Sequence, residues 1–314
     1  MGYPIGYLAV IKHLNDCKNL SLRIDELSEI LKINKEKILS SIKKFNELFD
    51  LVEISEETLI LKRKLDLLDE ELIFKQIVGS GRVLVLESVD STNTYMLKNS
   101  SNVISGDTLL TEIQTAGRGR RGGKWFSGFA RQLTFSISYV FDDISKIQGL
   151  SIGVGVAVAT AIESFGIKGI KIKWPNDIYI NDCKVGGILI EVATDGSKVK
   201  AVIGVGINVY TDNLAVTDRR YSSIAENPTE TFNRNLLVVK LINSIKDACL
   251  SFSNDDREKL FSEFDKRDYL KGKNISIQTE QGIVEGVALG IDYTGAIQLK
   301  NNDEVCSVTV GHIL

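Results

Sequence analysis

The first part of the chain has apolar residues at helical spacing, whereas most of the rest has them in short runs or at strand spacing. In NKEKILSSIKKFNELF (34–49) they lie three or four positions apart, which predicts a helix with one buried face. Asn34 is placed to cap this helix, and LVEIS and TLILK predict a hairpin on either side of Glu56-Glu57. This order of elements over residues 1–65 is typical of a winged helix-turn-helix.

The pattern changes after a charged linker at residues 66–80. Over residues 81–270, RVLVLE, DTLLTEIQ, QLTFSISYVF and KAVIGVGINV predict strands, the first of them buried. GLSIGVGVAVATAIESFG predicts a closely packed helix of small residues, and RNLLVVKLINSIKDACLSF predicts an amphipathic helix. In residues 271–314, short β runs are broken by glycines, which predicts a small barrel.

Composition and charge are those of an ordinary globular protein, so any ligand affinity must come from local sites. Hydrophobic residues make up 43% of the 314 positions, and the formal net charge is −3, which gives no global field that attracts nucleic acid. The start of the chain lacks the cationic segment of a signal peptide, and no apolar run is long enough to span a bilayer. We expect a cytoplasmic protein with no membrane partner.

The cysteines and histidines do not have the spacing of a metal site. There is no C-x-x-C pair, so we expect no metal held by a cluster of protein ligands. Reduced thiols in the cytoplasm are the simplest interpretation of the cysteines. The residues concerned are Cys17, Cys183, Cys249, Cys306, His13 and His312.

The segment TAGRGRRGGKW (115–125) concentrates cations among glycines between two predicted strands. Glycines let backbone N–H groups turn toward a ligand, and arginines supply forked donors that suit carboxylate and phosphate oxygens. The alternatives are an RNA-binding Arg-Gly segment or a solvated loop. Because such segments repeat, whereas this one occurs once and ends in Trp125-Phe126, we favour a loop that binds an anionic ligand.

Two further segments carry polar residues at strand ends. In KWPNDIYINDCKVGGILIE (173–191), a strand is broken at a proline and restarts, and Asn181-Asp182 predicts a hairpin turn. Lys184 follows that turn beside two glycines, so it is either an exposed lysine or a cation lying along the backbone at a ligand site. The segment DSTN (90–93) either caps a helix or hydrogen-bonds a polar, neutral headgroup.

Together these segments resemble the biotin–protein ligase family. DSTN, SGDTLLTEIQTAGRGRRGGKWFS, KWPND, KVGGILIE and GVGINV occur in the order found in that family. With its N-terminal helical unit, the chain resembles the bifunctional type, a ligase that is also a biotin-operon repressor. The resemblance implies an α+β fold with an N-terminal winged helix-turn-helix, a central mixed-sheet ligase domain flanked by helices, and a C-terminal small SH3-like β-barrel.

The resemblance also implies a two-step reaction. The biotin carboxylate attacks the α-phosphate of ATP to give biotinyl-5'-AMP, and a lysine of a biotin carboxyl carrier protein then displaces AMP. ATP, biotin and Mg²⁺ are the implied ligands, biotin operator DNA is a further partner, and a homodimer is expected when the adenylate is bound. The implied catalytic residues are Lys184, Arg118, Arg120 and Asp177.

Binding residues are implied by matching positions in the same motifs. Those for biotin are Ser91, Thr92, Asn93, Gln114, Gly117, Arg118, Gly119, Arg120, Lys184, Gly186 and Gly187. Those for the nucleotide are Arg118, Arg120, Arg121, Trp125, Asn176, Lys184 and Asn208. The chain departs from the family at 210–224, which has no Trp, so we consider Tyr221 as the residue that stacks on adenine.

DNA binding does not follow from the ligase motifs and depends on the N-terminal unit. Residues 1–62 hold nine Lys and Arg against ten Asp and Glu, a weak electrostatic footprint for a DNA-binding domain. We favour operator binding because the order of helices is intact, and a degenerate domain that no longer binds DNA is the alternative. The candidate DNA contacts are Lys35, Lys37, Ser40, Ser41, Lys43 and Lys44.

Two other functions fit parts of the pattern. A lipoate or octanoyl ligase of related fold would use neighbouring chemistry, although GRGRRG favours biotin. A transcription factor that only senses biotinyl-adenylate would bind the ligand without transferring it, although Lys184 and KWPND favour an enzyme.

Overall fold

The chain forms two compact units. The computed structural model describes residues 6–195, 198–210, 221–225 and 232–314. One unit comprises Met1–Leu68 with Gly128–Ala130, and the other comprises Asp69–Ser127 with Arg131–Leu314. Within the described residues, no helix combines the length and the apolar character needed to cross a membrane.

The first unit combines helices with a small antiparallel sheet. Its elements are α1 (Tyr7–Asp16), β1 (Ser21–Arg23), α2 (Ile24–Leu31), α3 (Lys35–Phe49), β2 (Val52–Ser55) and β3 (Thr58–Leu61). The strands lie in the order β1-β3-β2, so the hairpin predicted around Glu56-Glu57 is present as β2 and β3. The predicted cap of α3 is also present, since Asn34 Oδ1 accepts the Lys37 N–H at 3.0 Å.

The core of the first unit includes an aromatic side chain from a distant part of the chain. Phe45 of α3 stacks on Tyr7 with the ring centroids 5.0 Å apart. Phe129 meets the Phe45 ring edge to face at 5.0 Å and is 1% exposed. Buried aromatic rings contribute strongly to a small core, so the segment Gly128–Ala130 stabilises this unit.

The exposure of α3 corrects one predicted DNA contact. Ser41 is 7% exposed because it lies one turn from Ile38 and Phe45, on the buried face of the helix, and it cannot reach DNA from there. Lys35 is exposed, but its hydrogen bond to Asp25 engages it within the unit and raises the pKa of Lys35. The other candidates are exposed, namely Lys37, Ser40, Lys43 and Lys44.

The second unit is built on a seven-stranded sheet. Its strands are β4 (Val83–Val89), β5 (Thr108–Gln114), β6 (Gln132–Phe141), β7 (Lys171–Lys173), β8 (Asp177–Ile180), β9 (Cys183–Asp195) and β10 (Lys198–Asn208). They lie in the order β4-β5-β6-β10-β9-β8-β7, with β4 and β5 parallel and the other neighbours antiparallel. The helices are α4 (Glu70–Gln76), α5 (Thr92–Lys98), α6 (Leu150–Glu163), α7 (Arg234–Ser253) and α8 (Glu258–Arg267). The mixed sheet flanked by helices is confirmed.

The strand predicted to be buried, at the start of this unit, is an edge strand. β4 has mostly half-buried residues, and Leu84 is 39% exposed. The prediction was wrong because an apolar run indicates a strand but does not indicate which strands or helices flank it.

Small residues let α6 pack closely, as its sequence predicted. A Cβ built on Gly153 would lie 2.4 Å from the Phe252 ring of α7, and one built on Gly155 would lie 3.3 Å from Ile172 of β7. A larger residue at Gly153 would therefore displace the ring or the helix.

The C-terminal residues form an antiparallel β domain. Its strands are β11 (Asn274–Thr279), β12 (Gly282–Ile291), β13 (Ile297–Asn301), β14 (Glu304–Val308) and β15 (His312–Ile313), in the order β14-β13-β12-β11-β15. Trp174, between β7 and β8, donates a hydrogen bond from Nε1 to the Gly295 carbonyl at 3.1 Å. This contact ties the C-terminal domain to the part of the sheet that carries KWPND.

A fully buried ion pair holds α7 against the central sheet. Arg234 Nη2 lies 2.8 Å from Glu112 Oε2 of β5 and also donates to the Gln132 carbonyl at 2.8 Å. The Arg234 and Glu112 side chains are 0% and 1% exposed. Since burying one of these charges without the other is costly, the start of α7 and the β5–β6 pair must form together.

We predict that Arg234→Met lowers the free energy of unfolding by about 3–5 kcal/mol, because it leaves the Glu112 carboxylate buried without its guanidinium partner. The double variant Glu112→Leu with Arg234→Met should regain most of this loss, since it removes both charges. Urea unfolding followed by tryptophan fluorescence measures both variants.

The matched control is Lys75→Met in the exposed Glu71–Lys75 pair, for which we expect a loss below about 1 kcal/mol. Equal losses in the single and double variants at Arg234 would show that packing, and not the charge pair, holds α7.

Candidate active site

The glycine–arginine loop folds back on itself between β5 and β6. The Gly119 N–H donates to the Gly123 carbonyl at 2.7 Å, and the Trp125 N–H donates to the Gly117 carbonyl at 2.9 Å. A Cβ built on Gly117 would lie 2.4 Å from the Trp125 carbonyl oxygen, so only glycine fits there. At the tip, Arg121 adopts a left-handed conformation with φ of 52°. These backbone bonds fix the positions from which the cationic side chains project.

A cavity of about 430 Å³, within the usual size range of small-molecule sites, opens beside this loop. It is lined by every residue that was predicted to bind the nucleotide: Arg118, Arg120, Arg121, Trp125, Asn176, Lys184 and Asn208. Asp177, Gly119, Gly187 and Tyr221 line it as well. The structure therefore brings together residues from the loop, the β8–β9 hairpin and the end of β10.

The wall of this cavity is strongly cationic. Its five cations are Arg118, Arg120, Arg121, Lys124 and Lys184, and Asp177 is the one carboxylate among the described lining residues. Fixed cations in a partly enclosed site attract carboxylate and phosphate oxygens. Lys124 was not predicted as a site residue from the sequence, although it lies within the loop motif.

Lys184 and Asp177 form an ion pair in the cavity wall. The predicted turn at Asn181-Asp182 is present, with φ of 47° and 60° at its two residues, as in a type I′ hairpin. Lys184 Nζ lies 2.6 Å from Asp177 Oδ1, and the two side chains are 13% and 20% exposed. A Cβ built on Gly187 would lie 3.4 Å from Nζ, so the glycine leaves room for the ammonium. Lys184 is thus a cation lying along the backbone, not an exposed lysine.

Arg120 is held where the central sheet meets the C-terminal β domain. Its Nη1 donates to Asn176 Oδ1 at 3.0 Å, and its Nη2 donates to the Gly311 carbonyl at 3.5 Å. Burial lowers the pKa of the Arg120 guanidinium, and the charge of Arg121 lowers it further, but an arginine stays protonated despite such a shift. His312 lines the cavity next to Gly311. Nothing in the sequence indicated that Gly311 or His312 lies at the site, because β15 and the residue before it reach the site only through the tertiary fold.

Asn208 and Tyr221 both line the larger cavity. Asn208 Nδ2 donates to the Ser222 carbonyl at 3.1 Å, and Tyr221 forms an isolated bridge with the backbone of Lys184. Tyr221 is therefore placed at a cavity wall, as a residue that stacks on a base must be. Residues 211–220 of the segment considered with it lie outside the described residues.

A second, smaller cavity of about 30 Å³ shares Arg118, Trp125 and Leu189 with the larger one. Its polar lining consists of residues that were predicted to bind the biotin ring system, namely Ser91, Thr92, Asn93 and Gln114. Trp125 Nε1 is buried and has no hydrogen-bond partner among the described residues.

Two glycines predicted to contact biotin, Gly117 and Gly186, line neither of these cavities. A Cβ built on Gly186 would lie 2.6 Å from the Ile207 side chain and 3.0 Å from the Gly206 carbonyl oxygen. The close packing of β9 on β10 therefore explains why a glycine stands at position 186.

The segment DSTN caps a helix, one of the two roles that its sequence left open, and it also contributes residues to the smaller cavity. Ser91 is the N-cap of α5 and accepts the Thr94 N–H at 3.5 Å, whereas Thr92 and Asn93 face the smaller cavity. The Thr92 N–H donates to Gln114 Oε1 at 2.9 Å. Thr92 is thereby fixed to the strand that precedes the loop.

Ser136 and Glu191, which the sequence did not single out, hold the Asn93 side chain. Asn93 Oδ1 lies 2.6 Å from Ser136 Oγ, and Asn93 Nδ2 donates to Glu191 Oε2 at 2.9 Å and to the Leu189 carbonyl at 3.0 Å. The same Glu191 oxygen lies 2.6 Å from Arg118 Nη2. Glu191 is the last residue of KVGGILIE, so its place in that motif was the one available signal.

Comparison with known protein families identifies both parts of the second unit. Residues 85–208 match the Biotin/lipoate A/B protein ligase family, and residues 271–313 match the Biotin protein ligase C terminal domain. The first match contains the loop, the Lys184–Asp177 pair and the polar residues of the smaller cavity.

Individual relatives agree with this assignment. The chain is 33% identical over 246 residues to the bifunctional ligase/repressor BirA of Salmonella typhimurium, covering 77% of this chain and 76% of that protein. It is 27% identical over 260 residues to a biotin–[acetyl-CoA-carboxylase] ligase of Mycobacterium tuberculosis, covering 79% and 95%. The structure of a biotin protein ligase from Aquifex aeolicus in complex with biotin and ATP is similar, with a TM-score of 0.64, 25% identity, and coverage of 74% of this chain and 97% of that chain. The chain belongs to the biotin protein ligase family.

Proposed function

We propose that the protein is an ATP-dependent biotin–protein ligase, which forms biotinyl-5'-AMP and transfers biotin to a lysine of a biotin carboxyl carrier protein. The observation that carries this proposal is the position of Arg118, which lines both cavities. One cavity offers polar groups to a ring headgroup, and the other offers cations to a triphosphate. The carboxylate of a bound biotin and the α-phosphate of a bound ATP would therefore meet beside Arg118.

In the first step, a biotin carboxylate oxygen bonds to the α-phosphorus of ATP, the bond to the bridging oxygen breaks, and pyrophosphate leaves. Negative charge develops on phosphate and leaving-group oxygens in the transition state. Arg118, Arg120 and Lys184 line the cavity and supply fixed positive charge against those oxygens. We assign Arg121 a further phosphate contact at the tip of the loop.

In the second step, the neutral amine of the carrier lysine attacks the carboxyl carbon of the mixed anhydride, an amide forms, and AMP leaves. We propose that Asp177 steers this amine by accepting a hydrogen bond from it. Asp177 Oδ1 pairs with Lys184 Nζ at 2.6 Å in the structure, and the second carboxylate oxygen would accept from the amine.

The remaining residues are proposed to bind the two substrates. Ser91, Thr92, Gln114 and the backbone of Gly119 would contact biotin, and Asn93, whose amide is bonded within the protein, would form the wall of that site. Trp125 and Tyr221 would enclose adenine, with Asn176 and Asn208 beside the nucleotide.

Mg²⁺ is proposed to enter with the ATP phosphates. Among the described residues, no group of three or more His, Cys, Asp or Glu side chains is arranged to hold a metal ion. Mg²⁺ in phosphate-transfer sites commonly takes only one or two protein carboxylates together with phosphates and water. In the first step Asp177, the one carboxylate among the described lining residues, fits that requirement and would hold the ion, whose charge neutralises the phosphates; Asn208 lines the same cavity.

A lipoate or octanoyl ligase is the second candidate, since the matched family includes lipoate ligases. The polar lining of the smaller cavity favours biotin, because a lipoyl or octanoyl chain offers no urea-like group to these donors and acceptors. Titration calorimetry with biotin and with lipoate separates the two ligands directly.

We predict that the protein, given biotin and Mg-ATP, labels an apo carrier domain with biotin at a single lysine. Intact-mass spectrometry of the carrier measures the transfer, and lipoate in place of biotin is the matched control. If adenylate forms and is bound but the carrier stays unmodified, the protein is a sensor of biotinyl-adenylate and not a transferase.

We predict that Lys184→Ala lowers the rate of biotin transfer at least roughly a hundredfold, because it removes a fixed charge beside the reacting oxygens. Its free energy of unfolding should change by less than about 2 kcal/mol, since the side chain lies in a cavity wall. Lys198→Ala, at an exposed lysine of β10, is the matched control. Near-normal transfer by folded Lys184→Ala protein would remove Lys184 from the mechanism.

We further propose that the first unit is a winged helix-turn-helix that binds biotin operator DNA, with α3 as the recognition helix. The order of its elements, the exposed Lys37, Lys43 and Lys44, and the ligase/repressor name of the Salmonella relative support this proposal. The alternative is a domain that no longer binds DNA. The acidic β2–β3 turn favours that alternative, because its carboxylates repel DNA phosphates. Glu57 also pairs with Arg23 at 2.7 Å, so this arginine is already engaged within the unit.

We propose that the C-terminal β domain is a small SH3-like barrel and that the protein acts in the cytoplasm, where its free cysteines stay reduced.

We predict that biotinyl-5'-AMP makes the protein dimeric and that the dimer binds DNA from upstream of biotin synthesis genes. Sedimentation velocity measures the dimer, and fluorescence anisotropy over a range of salt concentrations measures the DNA affinity. Replacing both Lys43 and Lys44 by alanine removes four lysines from the dimer, so the slope of log affinity against log salt should fall by about 4. A protein that binds this DNA no better than unrelated DNA has the degenerate domain.

A further inference from the structure

Glu191 connects the two parts of the site that bind different ends of the acyl substrate. It lies on β9 two residues after Leu189, so both side chains project from the same face of the sheet, and Leu189 lines both cavities. Glu191 itself lines neither cavity. It acts instead on two residues that do, Asn93 and Arg118.

One carboxylate oxygen makes both contacts. Glu191 Oε2 accepts from Asn93 Nδ2 at 2.9 Å and lies 2.6 Å from Arg118 Nη2. Asn93 is fixed in turn by the Leu189 carbonyl at 3.0 Å and by Ser136 Oγ at 2.6 Å. The carboxylate is thus held in place by the sheet and by the start of α5 before it meets the arginine.

This arrangement differs from an ordinary surface ion pair. Exposed pairs contribute little because ordering two long, solvated side chains offsets their attraction. Here the Glu191 side chain is 26% exposed and already ordered by Asn93, so only the arginine remains to be fixed. Arg118 is 43% exposed and projects from a glycine-rich loop, so its side chain has more orientational freedom to lose than that of Glu191.

We propose that Glu191 is a positioning residue, which holds the Arg118 guanidinium at the boundary of the two cavities so that its other N–H groups face the acyl carboxylate and the α-phosphate. This inference rests on the proposed ligase function. An arginine has five N–H donors, and the contact with Glu191 engages Nη2. The remaining donors stay available to the substrate oxygens, in an orientation that is set before the substrate arrives.

Glu191→Gln tests the role, because it keeps the shape of the side chain and removes its charge. We expect kcat/KM for biotin in adenylate formation, measured by pyrophosphate exchange, to fall roughly tenfold to a hundredfold, as for loss of a charge-assisted hydrogen bond. Glu71→Gln, in the exposed pair with Lys75 on α4, is the matched control and should not change kcat/KM. Unchanged kcat/KM in Glu191→Gln beside an active wild type would overturn the role of Glu191 and leave the ligase function intact.

A double-mutant cycle shows whether Glu191 acts through Arg118. If it does, Glu191→Gln combined with Arg118→Ala loses no more activity than Arg118→Ala alone. Losses that multiply would overturn the proposal, since they would mean that Glu191 acts independently, for example by supporting Asn93.

Ligand binding gives a readout that a merely structural role would not produce. Biotinol has the ring system of biotin but an alcohol in place of the carboxylate. By calorimetry, Glu191→Gln should weaken biotin binding and leave biotinol binding within about twofold, as expected if the change acts only at the carboxylate end. Equal weakening of both ligands would place the effect at the ring wall and overturn the proposal. A wild type that binds neither ligand would instead refute the proposed function itself.

Discussion

Mutual repulsion among five cations around one cavity is the constraint that the surrounding structure has to overcome. Like charges a few ångströms apart repel by several kcal/mol where the dielectric is low, whereas solvent screens exposed charges such as Arg121 and Lys124. The other three cations, Arg118, Arg120 and Lys184, have acceptors fixed beside them. The β8–β9 hairpin and the residue that precedes it supply those acceptors. Asp177 pairs with Lys184, Glu191 pairs with Arg118, and the Asn176 amide oxygen accepts from Arg120.

The loop and the hairpin therefore have complementary tasks. The loop contributes guanidinium groups from a backbone that is fixed by its own hydrogen bonds, and the hairpin contributes the groups that orient them. Strand β9 is central to this, because it pairs with β10 over nearly its whole length and Gly186 lets the two strands approach closely. The packing of β9 on β10 thus determines where the charges of the site can lie.

Much of this was predictable from the sequence, and the failures have identifiable physical causes. The loop, the turn at Asn181-Asp182 and the cap at Asn34 depend on local chemistry, so residue type and spacing indicated them. Glu191 and His312 act through contacts with distant segments, and a single sequence has no periodicity that reveals such contacts. Ser41 was assigned to DNA because serine is polar, although its spacing from Ile38 and Phe45 already placed it on the buried face.

The size of the smaller cavity constrains how a ligand enters it. A volume of about 30 Å³ holds about one water molecule, so a bicyclic headgroup fits only after lining side chains move. The strands behind the cavity are paired on both sides, and Asn93 is held by Ser136, Leu189 and Glu191. The movement must therefore come from the loop side, where Trp125 packs over Gly206 and Arg118 closes the boundary with the larger cavity.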